Sequence, residues 1–195
     1  MAISETAICN MALGRIGAQR INDFGTATSN EGIQCRLQYE ATRDALLRSH
    51  AWRFALARAE LSANSTTPAF EYDYQYDLPA DCLRVVELYD SDSTFQLEGR
   101  RLLVNDETAS IVYIRKVTDP TEFDSMFIKV LATALAVELV MPLTKGQPLR
   151  DRVAGELAQM LSGARLANLV ETNTTGRDDM QTWNDARTEG AETNA

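Results

Sequence analysis

The spacing of apolar residues changes period twice along this chain, and that limits the folds open to it more than any single motif. Up to His50 apolar residues recur at helical intervals. From Trp52 they alternate every second position, and after Asp119 the helical interval returns. Helical, sheet and helical segments in that order predict an α+β chain. Its 195 residues suit one domain, or one domain with a smaller lobe inserted into it. The expected division is residues 1–51 and 119–171 as an antiparallel helical bundle, and residues 52–118 as a small antiparallel β lobe. Residues 172–195 are expected to form an extended, flexible C-terminal tail.

Local signals refine this. Ser4 can cap a first helix with Ile8, Met11, Ala12 and Ile16 on its apolar face, and Gly17 is a plausible stop. Thr28 and Glu31 have capping-box spacing for a second helix, whose apolar face is expected to use Ile33, Leu37, Ala41 and Leu47 and to end near His50. A strand is expected from Trp52, with Trp52, Phe54 and Leu56 on one face. Tyr72, Tyr74 and Tyr76 alternate with Glu71, Asp73 and Asp77, predicting a strand over Phe70–Tyr76. Further strands are expected at Leu83–Leu88, Phe95–Val104, with a hairpin turning at Glu98-Gly99, and Ser110–Val117. Asp119-Pro120-Thr121-Glu122 reads as a helix start and Pro142 as its end, and Pro148 opens a last long helix.

Charge is distributed unevenly. The net charge is −9; residues 61–125 carry five basic and thirteen acidic side chains, while residues 1–60 carry seven and six. Affinity for phosphate comes from clustered Lys and Arg, so this balance argues against a protein that grips DNA. Acid that serves solubility alone is the plainer alternative. The apolar run around Val130–Val140 contains Glu138 and stops at Pro142, too short a stretch to predict a membrane span. The N-terminus has no basic segment followed by an uninterrupted apolar core, so no signal peptide is expected. Cys9, Cys35 and Cys82 are widely spaced without a CxxC, and read as free thiols in a reducing compartment.

Residues for chemistry are scarce. His50 is the sole histidine, with Ser49 beside it and Cys35 earlier in the same predicted helix; a capping or packing role is favoured over a nucleophile pair. One histidine and three scattered cysteines predict no metal site, and no GxGxxG, P-loop or HExxH predicts a cofactor. The acids of residues 71–107 could supply a carboxylate pair for glycoside hydrolysis, but any two would serve, so the signal lacks specificity. The polar residues beyond Glu171 keep Met180 and Trp183, which read either as docking anchors or as chance apolar residues in a linker.

Several blocks in order carry a resemblance. They are Asn10-Met11-Ala12-Leu13-Gly14-Arg15-Ile16-Gly17-Ala18, then Cys35, Tyr39 and Arg43-Asp44-Ala45-Leu46-Leu47-Arg48, then Trp52-Arg53-Phe54-Ala55. Tyr76-Asp77-Leu78-Pro79-Ala80-Asp81, Glu98-Gly99-Arg100-Arg101-Leu102-Leu103 and Ala132 to Pro142 follow. From residue 4 to about 170 the chain resembles the head-to-tail adaptors (tail tubular protein A) of tailed bacteriophages. The resemblance implies a virion protein that is not an enzyme and binds no cofactor, metal or membrane. It implies a ring, usually of twelve subunits, beneath the portal protein, with the nozzle (tail tubular protein B) below and DNA passing through unbound. Such a protein is made in the bacterial cytoplasm. Candidate channel-facing acids are Glu71, Asp73, Asp77, Asp90, Asp92 and Asp106, and the candidate portal-docking tail carries Met180 and Trp183. A head-completion or stopper protein of a long-tailed phage is the alternative, and a virion-associated peptidoglycan hydrolase a more distant one.

Overall fold

A computed structural model of the chain describes residues 3–89 and 94–172. Among these it is mixed α+β, with four α-helices and two three-stranded antiparallel sheets. Helix α1 (Glu5–Arg15) starts at Ser4, whose hydroxyl accepts the Ala7 N–H at 3.2 Å. It stops where Gly17 takes a left-handed φ of 69°. Ile8, Cys9, Ala12 and Leu13 face inward, whereas Met11, expected on that face, is exposed.

Helix α2 (Asn30–Ser49) is capped one residue later than the sequence suggested, by Ser29 accepting the Gly32 N–H. Its buried face is a different stripe from the expected one: Cys35, Tyr39, Arg43, Leu46 and Leu47 point inward. Ile33 and Leu37 point outward, 42% and 65% exposed. Both stripes have helical spacing. The one containing Arg43 is buried with its aliphatic stem filling core volume, while the guanidinium lies beside Asp44, at 2.8 Å, and over the Tyr39 ring, at 6.0 Å.

The strand expected from Trp52 begins later. Arg53–Ala55 form a 3-10 turn, and β1 runs over Leu56–Leu61. The turn lets both Trp52 and Ala55 enter the core, which an alternating strand would forbid. The Trp52 indole donates to the Leu46 carbonyl at 3.1 Å and meets the Phe127 ring edge-on, with centroids 5.0 Å apart. The remaining strands are β2 (Tyr74–Asp77), β3 (Cys82–Tyr89), β4 (Gln96–Glu98), β5 (Arg101–Val104) and β6 (Ala109–Arg115). They form sheets ordered β1-β6-β3 and β2-β5-β4, and a second apolar core lies around Tyr76, Leu102, Ile111 and Tyr113. The β4–β5 hairpin turns at Gly99-Arg100, one residue past the expected position, with Gly99 at φ 60°.

After β6, Asp119 caps only a 3-10 turn (Pro120–Glu122), and Asp124 caps helix α3 (Ser125–Thr144). The break lets Phe123 turn into the aromatic cluster with Phe54 and Phe127. Pro142 does not end α3. It forfeits only its own bond to position 138, on the exposed side of the last turn, and the helix runs on to Lys145 at φ 53°. By length and mean hydropathy of 1.9, α3 could cross a membrane. Here it is instead the core helix, packed against α1, α2 and α4 (Gln147–Thr172), while α1 and α2 touch each other little. Sheet and helices are joined by the Lys116–Asp44 pair at 3.0 Å, the Arg115–Glu122 pair and the Arg48 side chain on the Leu83 carbonyl.

Candidate interaction surface

Ser49, His50 and Cys35 are each taken up by packing or a backbone hydrogen bond. Ser49 Oγ donates to the Leu46 carbonyl at 2.8 Å, and the His50 ring stands edge-on to Trp52, with centroids 5.2 Å apart. Cys35 is fully buried on the inner face of α2. Among the described residues no group of three or more His, Cys, Asp or Glu is arranged to hold a metal ion.

What the fold presents instead is surface. Ile33, Leu37, Ala41 and Ala45 follow one another at four-residue intervals and all are half-buried or exposed, so an apolar line runs along the outer side of α2. Beside it lies a shallow groove of about 430 Å³ lined by Ala41, Thr42, Ala45, Val137 and Leu157. A second apolar feature is Phe70, 80% exposed, in the loop between β1 and β2. The next residue, Glu71, has φ 75°, a left-handed conformation that a side chain with a Cβ rarely takes. Together they cap a cleft of about 290 Å³ bordered by Gln75, Glu98, Arg101 and Leu103.

The candidate acids do not share one strand face, because pairing begins only at Tyr74. Asp73 and Asp106 lie at one end of the β2–β5 pair: the Asp73 N–H donates to Asn105 Oδ1 at 2.9 Å, and the Tyr76 hydroxyl donates to the Asp106 carbonyl at 2.8 Å. Glu71 precedes them in the loop, and Asp77 sits at the far end of β2, 3.6 Å from Arg101. Glu71, Asp73 and Asp77 are exposed and Asp106 is half-buried. Asp90, Asp92, Met180 and Trp183 lie outside the described residues. Sequence reasoning missed the outward stripe of α2, having placed Ile33 and Leu37 in the core. It also missed Phe70 as an exposed ring; its neighbours Thr66-Thr67-Pro68 were a turn signal that could have flagged it. Compared with known proteins, the sequence matches no protein-family model and no curated protein.

Proposed function

We propose that this chain is a structural virion protein, a head-to-tail adaptor that closes a ring between the portal and the tail nozzle of a phage. In this reading α1–α4 are the antiparallel bundle, β1–β6 the inserted lobe and the residues beyond Thr172 the docking tail. The observation that carries it is the outward line of Ile33 and Leu37 on α2, left uncovered although the helical core beneath is filled. Fully burying an exposed side chain of that size gains about 1.5–3 kcal/mol, so Ile33 and Leu37, 42% and 65% exposed, would each gain about half of that. A face of this kind on every copy suits repeated side-by-side packing, and a head-to-tail contact whose rotation closes generates a ring. The acid of residues 61–125 supports the same reading. With twelve copies around one axis its surplus of eight acids amounts to roughly a hundred formal negative charges before screening, a wall to which DNA would not adhere.

The test is the double variant Ile33→Asp/Leu37→Asp. Because both side chains lie outside the core, the variant is expected to melt as the wild type does yet fail to form rings with portal protein in analytical ultracentrifugation. Rings of unchanged size would refute the assignment of this face.

A further inference from the structure

Helices α2 and α4 both stand on α3 but touch each other little, so a groove stays open between them over the middle of α3. Val137 of α3 is its buried floor, Ala41 and Ala45 of α2 line one wall and Leu157 of α4 the other. The two alanines are exposed and too small to close the gap. Glu138 lies at the edge, exposed and without an ion-pair partner among the described residues. Helix α4 follows α3 after Lys145-Gly146 and runs back along it, with the Thr133 hydroxyl donating to Met160 Sδ at 3.4 Å. It therefore ends at Thr172 by the Ser125 end of α3, about 22 Å past Leu157 at a rise of about 1.5 Å per residue. An extended chain covers up to about 26 Å from Thr172 to Met180 and about 36 Å to Trp183, enough to return to the groove of the same molecule. Met180 and Trp183 are the large apolar side chains of that segment, and its two cations, Arg177 and Arg187, lie on either side of them.

We propose that the groove between α2 and α4 is a docking site for the chain's own C-terminal segment. Trp183 and Met180 fill it, and the flanking arginines bring positive charge to Glu138, while Asp178, Asp179 and Asp185 face solvent. An indole laid against Val137 and Leu157 removes apolar surface from water on both sides, and docking anchors are often Trp. Because the contact is intramolecular, the tether holds the anchors at high effective concentration, and a shallow groove suffices. Ile33 and Leu37 do not line the groove, so their face stays open when it is filled. The site concerns the free chain and stands without the adaptor reading, in which release of the segment precedes docking on the portal.

The experiment follows acrylamide quenching of tryptophan fluorescence in the full-length chain. Trp52 is buried, and a Trp183→Phe variant reports its signal alone. The wild type is expected to resist quenching as that variant does, at every protein concentration. Ala41→Glu/Ala45→Glu, two changes at exposed positions that block the groove, should make Trp183 readily quenched while the melting temperature stays the same. Ile33→Asp/Leu37→Asp, which alters the neighbouring face, should leave Trp183 shielded, so this test and that of the ring contact fail separately. Trp183 quenched in the folded wild type as readily as in urea, or shielded equally with the groove blocked, would overturn the proposal. Shielding lost on dilution would also overturn it, by placing the segment on a second copy.

Discussion

Arg43 contributes its stem and guanidinium to the same inner face of α2 as Tyr39 and Leu47, at 1% exposure. Its Nε donates to Asp44, while Nη2 and the Tyr39 hydroxyl have no hydrogen-bond partner among the described residues. Desolvating a charge that is only half satisfied offsets most of what its ion pair returns. The stem, by contrast, fills core volume. Arg43→Met, which keeps that volume and removes the orphan donor, is therefore expected to lie within about 1 kcal/mol of the wild type in urea unfolding, or above it. Arg43→Ala should lose about 2–4 kcal/mol through the cavity it opens. A Met variant as weak as the Ala variant would show that the ion pair, not the stem, holds the site. This residue also explains an error of reading. A charge at position 43 made the true core stripe of α2 look polar, so Ile33 and Leu37 took its place in the sequence argument.

Helix ends were legible where a side chain caps them and obscured where two caps compete. Ser4 and Gly17 bracket α1 as expected, but Asp119 and Asp124 each offer a cap. Only packing, the burial of Phe123 between them, decides which opens α3. The Trp52 segment failed for a similar reason: alternation there was local, and the demand for both Trp52 and Ala55 in the core replaced it with a turn. Two helical glycines separate propensity from packing. A Cβ at Gly155, exposed on α4, would meet nothing within 4 Å, so Gly155→Ala should stabilise by about 1 kcal/mol. A Cβ at Gly32 would lie 2.4 Å from the Ala27 Cβ, so Gly32→Ala should destabilise by about 1–3 kcal/mol. Thermal melting of the two variants checks both signs. Equal shifts would mean that the Ala27 approach yields without strain.

At the scale of the whole molecule, the order helix, sheet, helix was readable from period alone, because binary patterning reports class before detail. The outward surfaces were not readable, since an apolar residue in a helical pattern says nothing about which side of the helix its neighbours leave open. In the proposed adaptor reading the acidic lobe lines the bore. Replacing Glu71, Asp73, Asp77 and Asp106 with Lys turns part of the proposed bore positive, and phage carrying these changes should eject DNA more slowly, more so at low salt. Ejection at the wild-type rate would remove the acids from any role at the channel. Cryo-microscopy of the purified chain mixed with portal rings tests the adaptor reading most directly. The expected map is a closed ring of this chain on the portal, with the Ile33 and Leu37 side of α2 buried between neighbouring copies and the acidic lobe lining the bore. Portal rings left bare, or a closed ring with Leu37 facing solvent, would contradict it.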